Sequence, residues 1–121
     1  MLIPTLIVRD MAEAIAFHTQ VLDFKLVTVW PEAAPFYAVL ARGADEMHLS
    51  LASGEGRNSR STAIVVCDEV DEAFAAFKSR GLRPPSRSNS PVHEAPLNQS
   101  WGTREVYIDD PSGNTLVFQQ R

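Results

Sequence analysis

Three histidines, a strand row of two carboxylates around a phenol, and one thiol are the groups in this 121-residue chain with the most chemistry to offer. Imidazole titrates near neutrality, so a histidine can move a proton or bind a metal. His48 shares a strand face with Ser50 and looks either to solvent or into a binding cleft. His93 stands beside Glu94 in a proline-rich segment, where it can change charge near a ligand. His18 falls on an expected helix and reads as a surface or packing residue. No two of the three have local ligand spacing, so a metal site would need distant segments to converge. Glu105, Tyr107 and Asp109 share one strand face, because residues two apart point the same way. That row either lines a cleft or faces solvent beside an inward Val106 and Ile108. Cys67 lacks a neighbouring basic activator and reads as packing at a strand end. The spacing offers no Ser–His–Asp arrangement, phosphate loop or dinucleotide fingerprint.

Aromatic side chains are the other resource. Trp30, Phe36, Tyr37, Trp101 and Tyr107 fall at strand ends or in loops, where rings give large contact area at low conformational cost. They also serve as core or interface residues, and part of the set is expected to reach a cleft. Glu32, Glu46 and Glu105 would place negative charge near such rings, which suits a cationic or polar ligand.

The chain that positions these groups has 45% hydrophobic and 21% charged residues, values that favour a folded globular domain. Its net charge of −4, without a basic run, argues against a nucleic-acid partner. No apolar stretch approaches the roughly 20 residues that cross a bilayer, so no membrane partner is expected. Met1 leads directly into a strand-like run, and a single cysteine forms no internal disulfide. The expectation is a soluble cytoplasmic domain.

Leu2 to Val8 is an apolar run that reads as a buried strand. Asp10 is placed to cap a helix from Met11 to about Val21, with Glu13 three residues on as in a capping box. Strands follow at Phe24 to Trp30, at Phe36 to Ala41 and around Met47, Leu49 and Leu51. The polar segment Ser53 to Ser59 is a candidate linker. The pattern then restarts, with an apolar run at Thr62 to Val66, a helix from about Val70 to Arg80, and Gly81 as its C-terminal cap. A long Pro/Ser/Asn segment leads to strands at Arg104 to Asp109 and Thr115 to Gln119, joined by a turn at Asp110 to Asn114. Glu13-Ala14 and Glu72-Ala73 lie about half the chain apart, as an internal duplication would leave them. Each half is too small to stand alone. The predicted fold is α+β: two βαβββ modules, about 1–56 and 60–121, pairing curved mixed sheets around a cleft within one domain.

Three segments carry a resemblance to the vicinal oxygen chelate superfamily of glyoxalases, extradiol dioxygenases and bleomycin resistance proteins. The first runs from Leu6-Ile7-Val8-Arg9-Asp10 through Phe17-His18 to Val21-Leu22-Asp23-Phe24, and the second spans Val66 to Gly81. The third is Trp101-Gly102-Thr103-Arg104 with Asp110-Pro111-Ser112-Gly113-Asn114, similar to the family's closing "WG…DPDGN". Ala95-Pro96 and the spacing from Trp101 to Pro111 resemble the bleomycin resistance branch in particular. The resemblance places Arg104 at a position that often faces inward, where it would pair with an acidic ligand group or a buried carboxylate. His18 stands where the family often has tyrosine.

Metal-using members hold ligands at three set positions. Here these fall near Ile3, on Ser61 or Thr62, and on Val117. Ile3 and Val117 have no donor atom, Ser61 and Thr62 are poor ligands, and a shift of one residue brings in only Pro4, Leu116 or Phe118. Neither a metal nor another cofactor is therefore expected. The resemblance implies a small-molecule binding protein that acts by sequestration. Its candidate ligand residues are Trp30, Phe36, Tyr37, His48, His93, Trp101, Arg104, Glu105 and Tyr107. It also implies a homodimer, with possible exchange of the first strand. The alternative is a lyase, isomerase or dioxygenase with a displaced metal site using His48, His93 or Glu105.

Overall fold

The computed structural model describes residues 1–53 and 60–121. The candidate linker, from residue 54 to 59, lies outside the described residues, as does the expected end of the first module. The chain groups into two units, one of residues 1–61 with 110–114 and one of 62–109 with 115–121.

The first unit contains β1 (Thr5–Val8), α1 (Met11–Ala16), β2 (Lys25–Trp30), β3 (Tyr37–Arg42) and β4 (Asp45–Leu51). Its sheet runs β1-β4-β3-β2, with β1 parallel to β4 and the other pairs antiparallel. Strand alternation separates two faces. Leu6, Val8, Ala38, Leu40, Met47 and Leu49 are buried on one, the core face that α1 covers with Met11 and Ala14. Tyr37, Val39, Glu46, His48 and Ser50 fall on the other. The first strand is shorter than expected. Leu2 is 97% exposed and Ile3 is also exposed, because pairing with β4 begins only at Thr5.

Asp10 caps α1, accepting a hydrogen bond from the Glu13 N–H at 2.9 Å. Glu13 does not complete the expected box, since its carboxylate takes the Arg9 guanidinium at 2.8 Å. The α-helix also stops earlier than expected. From Phe17 to Val21 the backbone widens into a π-helical turn. The Ala14 carbonyl accepts from the His18 ring at 2.8 Å, and the Ile15 carbonyl from the Thr19 hydroxyl at 2.7 Å. These are the carbonyls that the next α-helical N–H groups would have used.

The second unit repeats the order with β5 (Thr62–Val66), α2 (Val70–Ser79), β6 (Leu97–Asn98), β7 (Arg104–Asp109) and β8 (Thr115–Gln120). Its sheet is β5-β8-β7-β6, with β5 parallel to β8. Val106, Ile108, Leu116 and Phe118 are buried on the α2 face, where the Phe77 and Phe118 rings lie 4.8 Å apart. Gly81, at φ +108°, closes α2: its N–H donates to Lys78 O, and that of Leu82 to Phe77 O. One sequence expectation is refined here. The Pro/Ser/Asn segment contains a 3₁₀ turn at Pro91–His93 and the short β6. Within the apolar run of β5, which the sequence left without a burial assignment, Ile64 and Val66 point away from α2 and are 57% and 50% exposed. The result is the predicted α+β fold of two βαβββ modules, with two open mixed sheets.

Candidate functional site

The first unit assembles its polar groups across a strand pair. Glu46 and His48 share a face of β4, and the His48 Nε2 lies 2.5 Å from a Glu46 carboxylate oxygen. Tyr37 enters from β3, and its hydroxyl is 2.5 Å from the His48 Nδ1. The three form a continuous carboxylate–imidazole–phenol chain. Ser50 lies directly across from Tyr37, and Thr5 across from His48. Trp30 pairs across from Tyr37 on β2 and meets Phe36 edge-to-face with centroids 4.9 Å apart. Both rings are largely exposed. Trp30, Phe36, Tyr37 and His48, singled out from the sequence, thus fall on one local surface. Glu46 was legible only as a negative charge and proves to be the partner of His48.

The second unit arranges its candidates differently. Glu105 is 2% exposed, which removes the solvent-facing alternative for this residue. Its carboxylate accepts from the Thr103 hydroxyl at 2.9 Å and from the Gln119 carboxamide, whose oxygen accepts from the Arg121 Nε at 2.9 Å. These donors offset the cost of burying the charge. Tyr107 is half-buried and Asp109 exposed, so the row passes from interior to surface along one strand. The loop bearing His93 returns to that end: the ring meets Tyr107 with centroids 5.4 Å apart and approaches Asp109 at 3.4 Å. Ser90 lies 2.7 Å from the His93 Nδ1. A Ser–His–Asp juxtaposition therefore exists where the spacing suggested none, because β7 supplies the third member. Asp109 is also held by Thr115 at 2.7 Å and Arg87 at 3.4 Å.

Arg104 is on the α2 side of its sheet. It pairs through two nitrogens with Asp71 on α2 at 2.8 and 2.9 Å, and reaches Asn98 at 3.2 Å. The hydrogen bond to Arg104 holds the Asp71 carboxyl below its ordinary range, and Asp71 raises the guanidinium in turn. Arg104 borders an open cavity of about 340 Å³, with Asn98, Gln99, Thr103, Gln120 and Arg121 as neighbours. Trp101, in the turn before β7, is exposed.

His18 is fully buried in the first unit. Among the described residues its Nε2 has no hydrogen-bond partner, and the Asp110 carboxylate lies 3.8 Å away. Burial lowers its proton affinity more than the Ala14 carbonyl and Asp110 raise it. Asp110 itself accepts from the backbone of Ser112 and Asn114 and from the Asn114 side chain. That turn is anchored in the first unit: the Asn114 carboxamide donates to Ile7 O at 2.8 Å and accepts from Ser61 N–H at 3.0 Å.

The positions where related metal enzymes hold their ion do not fit one here. Ile3 is an exposed hydrocarbon, Ser61 or Thr62 opens β5, and Val117 is buried in β8 between Ile64 and Tyr107. Among the described residues, no group of three or more His, Cys, Asp or Glu side chains is placed to hold a metal. Among those residues, too, no helix is long and apolar enough to cross a membrane.

Two modules of this topology with these features define a class, and comparison with known proteins agrees. The glyoxalase/bleomycin resistance protein/dioxygenase superfamily is matched over residues 3–118, and the chain belongs to it. Within that superfamily it is similar to the bleomycin resistance proteins of Geobacillus stearothermophilus and Staphylococcus aureus. Each is 29% identical over 136 residues, spanning 98% of this chain and 95% of the relative. The bleomycin resistance determinant encoded on the transposon Tn5 superposes with a TM-score of 0.80 at 24% identity, covering 100% of this chain and 97% of its own. A bleomycin-binding protein complexed with bleomycin gives 0.76 at 22% identity, with coverage of 100% and 98%. A lactoylglutathione lyase from Agrobacterium tumefaciens gives 0.75 at 20%, with coverage of 99% and 92%.

Proposed function

We propose that this protein binds and sequesters a small molecule without a metal, in the manner its bleomycin resistance relatives suggest. The observation that carries the reading is the donor-free character of Ile3 and Val117 in a chain that otherwise keeps the superfamily's modules. A binding protein needs apolar area and a few orienting polar groups, and both sheets supply these on the faces turned from their helices. The candidate ligand residues in this reading are Trp30, Phe36, Tyr37 and His48 in the first unit; in the second they are His93, Trp101, Glu105 and Tyr107, with Arg104 on the α2 side of its sheet. The two modules act as one domain over 1–121, in a cytoplasmic homodimer that can exchange its first strand. The exposed Ile64 and Val66 are consistent with a surface that a second copy covers. Light scattering on a sizing column tests the dimer, and a monomer mass at micromolar concentration overturns it.

The binding reading is tested by thermal denaturation and titration calorimetry with metal-free bleomycin in excess chelator. Ligand at a hundredfold over Kd should stabilise the native state by about 2.7 kcal/mol. Absence of both heat and a melting shift rejects bleomycin as the ligand. Binding that chelator abolishes and a divalent cation restores rejects metal independence.

A further inference from the structure

We infer that Glu46, His48 and Tyr37 form a nucleophilic relay in which the Tyr37 hydroxyl attacks electrophilic acyl groups. This activity is separate from reversible binding. The direction of the chain follows from hydrogen-bond accounting. A carboxylate only accepts, so the His48 Nε2–H donates to Glu46 across 2.5 Å. The Nδ1 of the neutral ring is then an acceptor, and the Tyr37 hydroxyl donates to it, also across 2.5 Å. The phenol is thus seated on a base whose orientation a third group fixes, the arrangement that activates a nucleophile. The groups are held by two strands in antiparallel register rather than by a loop, and the ring and carboxylate remain partly open to solvent.

The substrate class is a carboxylic ester or thioester with a good leaving group. In the first step the Tyr37 oxygen bonds to the acyl carbon as its proton passes to the His48 Nδ1. The bond to the leaving group breaks, and that group departs with the electron pair and takes up the proton. Water then cleaves the tyrosyl ester, giving its proton through His48 to the phenolate and releasing the carboxylic acid. Glu46 is a positioning residue, holding one tautomer of the ring. A bound ligand with such an acyl group would be captured covalently.

The chain contains two tyrosines, so the experiment carries its own reference. Tyr107 meets His93 edge-to-face, and no hydrogen bond to its hydroxyl is seen among the described residues. The intact protein is treated with p-nitrophenyl acetate, and acetylation of each tyrosine is followed by peptide mass spectrometry. Tyr37 should acetylate at least about a hundredfold faster than Tyr107, the lower end of what a positioned base contributes. His48→Gln should bring it down to the Tyr107 rate. Glu46→Ala should slow Tyr37 about threefold and convert the single Nε2–H tautomer, read by nitrogen-15 NMR, into a mixture. A merely structural Glu46 would leave that signature in place. Should His48→Gln not fold, Tyr37→Phe decides the matter by abolishing the fast phase of p-nitrophenolate release. Equal rates at the two tyrosines, acetyl groups on His48 alone, or a Tyr37 rate indifferent to His48 each overturn the proposal. None of these readouts requires bleomycin to bind, so this inference and the sequestration reading fail independently.

Discussion

The two modules share a strand order and diverge in almost everything their strands display. Sheet β1-β4-β3-β2 and sheet β5-β8-β7-β6 have the same mix of one parallel and two antiparallel pairings. Yet the first places an acid, an imidazole and a phenol in line across two neighbouring strands, partly open to water. The second buries a carboxylate under a hydroxyl and a carboxamide, and brings its histidine in from a loop. The helices differ as well. α1 is capped by its own N-cap side chain and dissolves into a π-helical turn; α2 gets no bond from Glu69, its first N–H donating instead to the distant Gln120 side chain, and it ends cleanly at Gly81. A duplicated backbone thus fixes where side chains stand and leaves open which chemistry they perform.

That contrast can be pressed with variants, starting in the cores. Phe77→Ala should cost about 4 kcal/mol in urea unfolding, since the second module packs its helix through an aromatic pair. A loss below about 2 kcal/mol would mean that this core can collapse around the void. Asn114→Ala should cost about 3 kcal/mol, because one buried carboxamide serves Ile7, Ser61 and Asp110 together. The helix starts give a paired test. Asp10→Ala should cost about 1 kcal/mol. Glu69→Ala, at a helix start where the N-cap side chain makes no bond and Gln120 instead accepts from the Val70 N–H at 3.0 Å, should change stability by no more than about 0.5 kcal/mol. Equal costs at the two would show that the capping bond contributes nothing.

The mildest effect is a change of slope. Burial lowers the His18 proton affinity, so the unfolded chain binds a proton that the native state refuses. His18 therefore imposes no penalty above its ordinary value of 6.5, and stability falls as pH drops below it, levelling only beneath the lowered native value. His18→Gln should flatten the dependence of unfolding free energy on pH between neutrality and mild acid. An unchanged slope would place the acid sensitivity elsewhere.

Local signals in the sequence were enough for much of the fold. The bounds of β7, the caps at Asp10 and Gly81, and the alternation around His48 follow from periodicity and turn chemistry that neighbouring residues decide. The short β6 did not show, because two residues among Pro, Ser and Asn carry no period. The π-helical turn was hidden too: His18 and Thr19 read as ordinary helix residues until their side chains are seen taking backbone carbonyls. The pairing of Glu46 with His48 was within reach of a two-residue period. Tyr37 was not, since its contact depends on the register of β3 against β4. The Ser90–His93–Asp109 grouping needed a loop to fold back onto a strand.

The turn at residues 110–114 has a consequence for how this molecule can be taken apart. It is encoded between the last two strands of the second repeat, yet its Asn114 and Ser112 fasten to Ile7, Ser61 and Arg9 in the first. A chain severed after residue 53 would yield an amino-terminal fragment deprived of its own latch. Its complement would carry a latch that keeps Ser61 but has lost Ile7 and Arg9. The halves of this chain repeat one element order but are not interchangeable parts. Split reporters or shuffled chimaeras built from them should move residues 110–114 with the amino-terminal half.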